Sequence, residues 1–222
     1  MRLFNTLIVV LLVGLASCSS EGENNAQEGK TATSTQVKGA NLNIPDGMYS
    51  LTKENSVIVW TAKKLNGSGH EGTMSTSNGK MKIEGGVLTS GMITIDMNSF
   101  TCTDLEGEDK EGFDSHLKSE DFLDVEKYTV ADVKIIGVKE RGDELISSIK
   151  LYLHGGTVEY EAPISVKERA LEGGEIAYEI SGEFFIDRTK HKIIYGSGSF
   201  FDSLGDRAIN DDVSLKFTFT AI

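Results

Sequence analysis

The chain is short of cysteine, of clustered positive charge and of any apolar run long enough to cross a bilayer, and each shortage excludes something. Two cysteines, Cys18 and Cys102, allow one internal disulfide at most. Lys and Arg number 22 against 34 Asp and Glu, for a net charge of −12, and the basic residues are scattered. Phosphate binding needs Lys and Arg gathered on one face, so nucleic acid is excluded as a partner, and the acidic surface serves solubility. Leu7 to Leu15 is the apolar stretch at the N-terminus. It is too short to span a membrane, which takes about 20 residues, but has the length and flanks of an export signal.

Catalytic signatures are missing too. No Gly-x-Ser-x-Gly elbow is present, and Cys102 between Thr101 and Thr103 has no base beside it in sequence. The histidines, at 70, 116, 154 and 191, show no pair at ligand spacing, so no metal site is expected. Adjacent carboxylates such as Glu108-Asp109 and Asp211-Asp212 would point to opposite faces of a strand. The glycine pairs Gly85-Gly86, Gly155-Gly156 and Gly173-Gly174 lack the Lys-Ser/Thr sequel of a phosphate loop and read as turns or bulges. The expectation is a protein that is not an enzyme and carries no cofactor.

What is present begins with Leu15-Ala16-Ser17-Cys18, which resembles the lipobox of bacterial lipoproteins. On this reading residues 1–17 are removed and Cys18 carries the lipid, anchoring the chain to a membrane. Cys102 is then left without an internal partner. Residues 18–40 are rich in Ser, Glu, Asn, Gly, Thr and Gln and read as the lipidated cysteine and a flexible tether. Glu21-Gly22-Glu23 reads as solvated linker or as a sorting signal to the surface. The expected location is the bacterial cell envelope, at the outer membrane on its periplasmic or surface face.

From residue 41 to residue 222 the dominant pattern is period two, the mark of strands with one dry face. Ile93, Ile95 and Met97 alternate with polar residues, as do Ile149, Leu151 and Leu153, and Val213, Leu215, Phe217 and Phe219. Further stripes run through Val158 to Val166 and through Ile176, Tyr178, Ile180, Phe184 and Ile186, with turns at Arg141-Gly142-Asp143 and Glu172-Gly173-Gly174. Shorter runs lie at Tyr49, Val57–Ala62, Gly72–Thr76 and Lys80–Ile83. Eight to ten strands in one meander must close or fold over, and their length favours a tall antiparallel barrel of about eight strands. Between Leu105 and Val125 the spacing of Phe113, Leu117 and Phe122 predicts one or two short helices docked on the barrel. Periodicity does not separate a barrel filled by side chains from one that encloses a ligand; both readings stand.

Several separated segments resemble the YceI-like family of exported, lipocalin-like barrels. They are the strand with Trp60, His70-Glu71-Gly72-Thr73, Gly91 to Met97, His116-Leu117-Lys118-Ser119-Glu120-Asp121-Phe122 with the residues up to Tyr128, Leu151 to Thr157, and Phe185-Ile186-Asp187-Arg188-Thr189. Thr129 stands where that family often has proline, and Lys190 where it often has an aromatic residue. The resemblance implies an all-β barrel that encloses a polyisoprenoid or similar lipid without catalysis, and a possible homodimer. The residues expected to line it are Trp60, Ile93, Ile95, Met97, Phe122, Ile149, Leu151, Tyr178, Ile180, Phe217 and Phe219. Arg188, near the mouth, would face a polar headgroup or take part in structural ion pairs.

Overall fold

A computed structural model describes residues 39–54 and 56–222; the expected signal, Cys18 and nearly all of the tether lie outside them. Strands β1 (Gly47–Ser50), β2 (Val57–Lys63), β3 (Gly69–Glu84) and β4 (Val87–Cys102) precede helix α1 (Gly107–Lys118). Strands β5 (Val130–Arg141), β6 (Glu144–Leu153), β7 (Gly156–Ala170), β8 (Ile176–Asp187) and β9 (Asp212–Ala221) follow, with 3-10 turns at Arg188–His191 and Gly205–Arg207. No helix among the described residues is long and apolar enough to cross a membrane.

All pairings between these strands are antiparallel, in the order β1-β3-β2-β9-β8-β7-β6-β5-β4, and β3 also pairs with β4. That last pairing closes the ring and removes the open edges that would otherwise invite association. β1 and β2 share one side of β3, and Leu51 bridges to Ala221 as β2 pairs with β9. The two therefore act as one interrupted strand, and the barrel is eight-stranded.

Short turns make this closure possible. At Gly85-Gly86 both residues have positive φ (62° and 74°), the backbone that a two-residue hairpin requires and that glycine adopts without strain. Bulges then shift which residues face inward. In β4 the inward set runs through Ile93, Ile95 and Met97, then resumes at Phe100 and Cys102. The Ser99 hydroxyl fills that irregularity, accepting from the Ser75 N–H at 2.8 Å and donating to the Asp96 carbonyl at 2.5 Å.

The two ends are closed differently. At one, α1 and the turns after it bring Leu117, Phe122, Leu123 and Val125 over the core. Asp114 docks the helix on β4, accepting from the Cys102 N–H at 2.7 Å, the Thr101 hydroxyl at 2.6 Å and Lys110 at 2.6 Å. Burial pushes its carboxyl up, but these bonds outweigh it and hold the group below the usual range.

At the other end the segment just before β1 forms a stopper. Ala40 donates to the Val138 carbonyl and Leu42 to that of Gly86, both at 2.8 Å, and Leu42 and Ile44 pack against Met81, Ile83, Leu88 and Tyr178. Ile44→Ala is expected to destabilise the barrel by about 2 kcal/mol, the low end for a buried aliphatic because an irregular segment can settle into the gap. Equilibrium urea unfolding measures it; an unchanged midpoint would mean that the stopper contributes nothing to the core.

Candidate functional site

The inward side chains enclose two apolar cavities stacked along the barrel. One, of about 90 Å³, lies toward the stopper and is walled by Leu42, Leu51, Ile58, Met81 and Leu88 with residues of β4 to β9. The second, of about 110 Å³, lies under α1 and is walled by Trp60, Met97, Phe100, Leu117, Phe122 and Ile193 among others. Ile95, Leu151 and Leu215 belong to both walls, so they form a waist on one axial path. Lining is apolar nearly throughout, with Lys80 and Ser147 the polar exceptions in the first wall and Arg188 in the second.

Ile93, Ile95, Ile149, Leu151, Ile180, Phe217 and Phe219 stand in the first wall, and Trp60, Ile95, Met97, Leu151 and Phe122 in the second. Tyr178 does not line either cavity. It lies near the end of the barrel, opposite Ala221, and packs edge-on against Tyr49 in the stopper cluster. Its stripe does face inward, but by that height the interior is already filled.

Arg188 lies in the second wall, yet its donors are spent on the backbone. Nε donates to the Asn210 carbonyl at 3.0 Å, one terminal nitrogen to Ile193 and Tyr195, both at 2.9 Å, and the other to Ile209 at 3.1 Å, with Asp211 at 3.5 Å. This is the geometry of the structural alternative: the guanidinium knits the 188–211 connection across the barrel end. Trp60, which lines the same cavity, has its indole N–H buried with no partner among the described residues. Trp60 stacks on Phe100 at 4.7 Å, and the lack of a side chain on Gly72 leaves room for it, since a Cβ there would fall 2.5 Å from the indole.

Sequence patterning missed part of the wall. Val133, Ile135 and Val138 all line the first cavity, but a bulge between Ile135 and Gly137 breaks their alternation. Leu42 was missed because it belongs to no strand. A local sign of the first was Gly137 itself, since glycine inside a strand often marks a bulge.

His191 is fully buried beside the second cavity's end, with Tyr160 Oη 3.0 Å from Nε2. Burial lowers its pKa, outweighing the nearby carbonyls and Asp187, and Tyr160 is pushed up to about 12 by burial, so both are neutral near pH 7. A histidine whose folded pKa lies below its unfolded value of about 6.5 contributes stability that is fully present above that pH. That stability is lost as pH falls toward the folded value, because the unfolded chain takes up the proton first. Unfolding midpoints are therefore expected to drop as the pH falls below about 6.5, and His191→Gln to flatten that slope. A slope unchanged by the substitution would place the pH dependence elsewhere.

The YceI-like domain profile matches residues 49–221, most of the chain. The chain belongs to the YceI-like family. Among solved structures, BcnA of Burkholderia cenocepacia is similar to this YceI-like barrel at 18% identity and a TM-score of 0.59, over 78% of this chain and 99% of the other. A polyisoprenoid binding domain from Saccharophagus degradans, implicated in plant cell wall breakdown, is similar at 15% identity and a TM-score of 0.51, over 78% and 97%. At these identities the likeness establishes the shared fold. No curated protein matches the chain.

Proposed function

We propose that this YceI-like protein binds a long apolar ligand of the polyisoprenoid class along its barrel axis, as a non-catalytic carrier or storage lipoprotein of the cell envelope. The observation that carries the reading is the apolar wall, continuous from the stopper to α1 through Ile95, Leu151 and Leu215. The Saccharophagus relative, described as a polyisoprenoid binding domain, supports the same ligand class. Burial drives such binding at roughly 25 cal/mol per Å² of apolar surface. Because pockets for drug-sized ligands run to roughly 300–1,000 Å³, a long chain must push the waist residues apart and merge the two cavities. The small size of the cavities favours the other reading, a filled barrel that serves as a structural or interaction module.

Native mass spectrometry and organic extraction of the domain from Gly39 onward separate the two. A bound isoprenoid is the expected result; a barrel that is empty and stays empty when offered polyprenyl lipids selects the filled reading. The anchor is proposed on Cys18, and acyl labelling that survives Cys18→Ser would refute it.

A further inference from the structure

The register that closes the barrel also assembles polar chemistry at its helix-side end. Gly72 lies opposite Cys102 and Thr73 opposite Thr101, and the Thr103 N–H donates to the Glu71 carbonyl at 2.9 Å. Continued by two residues, the same register brings His70 across from Asp104. Asp104 lies just past the end of β4, and its carboxylate meets both the Cys102 thiol and His70 from β3. One ligand atom of each lies within 4.8 Å of the others. The Cys102 thiol donates to Asp104 Oδ1 at 2.7 Å, and His70 Nδ1 is 3.3 Å from the same oxygen.

These groups are held in place from outside the trio. The Glu71 N–H donates to Asp104 Oδ2 at 3.4 Å, the Cys102 N–H to Asp114 at 2.7 Å, and the Phe113 ring sits 4.3 Å from the His70 ring. Cys102 is fully buried while the His70 and Asp104 side chains are about one-third exposed (34% and 33%). The cluster is thus closed on the barrel side and open toward solvent. None of the three lines either apolar cavity, although Cys102 packs in the core beside them.

We propose that His70, Cys102 and Asp104 form a zinc site, with a fourth coordination position open to water or an external ligand. The donor chemistry selects the metal. Thiolate with imidazole and carboxylate suits zinc, whereas calcium and magnesium take oxygen donors. Bonds of about 2.3 Å to sulfur and about 2.0–2.2 Å to nitrogen and oxygen place tetrahedral ligands roughly 3–4 Å apart. The His70–Asp104 separation already meets this, and the sulfur and carboxylate meet it once the S–H···O bond gives way to the ion. Cys102 binds as thiolate, its proton leaves to solvent, and nothing is oxidised or reduced. The ion would staple the start of β3 to the segment between β4 and α1.

The test uses the full chain in detergent with Cys18→Ser, which leaves Cys102 as its one thiol. After metal is stripped, one equivalent of cobalt(II) is expected to give a thiolate-to-cobalt charge-transfer band that zinc abolishes. Cys102→Ser should remove the band, and His70→Ala and Asp104→Asn should each weaken zinc binding at least tenfold. The last two residues are partly exposed, so those variants report even where the change at buried Cys102 impairs folding. A folded parent without the band, or a zinc affinity unmoved by either His70→Ala or Asp104→Asn, overturns the site.

Discussion

Ile95→Arg is expected to empty the barrel of any lipid that co-purifies with the parent chain. Ile95 is buried, stands opposite Thr76 on one side and Ala131 on the other, and faces both cavities. An arginine there reaches into the waist, and an unpaired charge cannot be covered by an apolar chain without a cost of several kcal/mol. Co-purifying lipid should fall at least tenfold, equivalent to about 1.4 kcal/mol of binding, measured by extraction and native mass spectrometry. Because the same charge strains the fold, Phe217→Arg is the companion: Phe217 lines the first cavity but is only partly buried, so a charge there costs the fold less while still meeting the ligand. A folded Phe217→Arg barrel with unchanged lipid content would remove the cavity wall from the binding site.

The second large effect is expected at Arg188, on stability and not on ligand. Arg188→Ala leaves the carbonyls of Asn210, Ile193, Tyr195 and Ile209 without their donor. A buried acceptor left unsatisfied costs about 1–3 kcal/mol, so the loss is expected to reach several kcal/mol and, for a domain of this size, to lower the thermal midpoint by roughly 10 °C. Lipid carried per folded molecule should stay as in the parent. The opposite pattern, full stability with lost lipid, would restore a headgroup role for this guanidinium.

The two residues show how local pattern and tertiary context divide the evidence. Ile95 was legible because a strand with one buried face repeats every second residue, and that periodicity is written locally. Arg188 was ambiguous because a sequence does not say whether a guanidinium will meet solvent, ligand or carbonyl. Its acceptors at 193, 195, 209 and 210 lie on a connection with no periodicity at all. Tyr178 shows a third case: its stripe was legible, but its height in the barrel was not.

The sequence by itself determined the all-β class, the turns at Gly85-Gly86 and Gly142, the helical segment after β4 and most of one apolar face. Each is set by neighbours within a few residues, through backbone preference or alternation. Only the tertiary structure decided that β3 and β4 close the ring, that Leu42 and Ile44 stop one end, and that bulges return Val138 to the interior. It alone brought His70 to within 3.3 Å of Asp104 and beside Cys102. Ligand spacing along the chain did not show that cluster, because partners 32 and 34 residues apart meet through strand register. Register is fixed by the closure of the whole barrel.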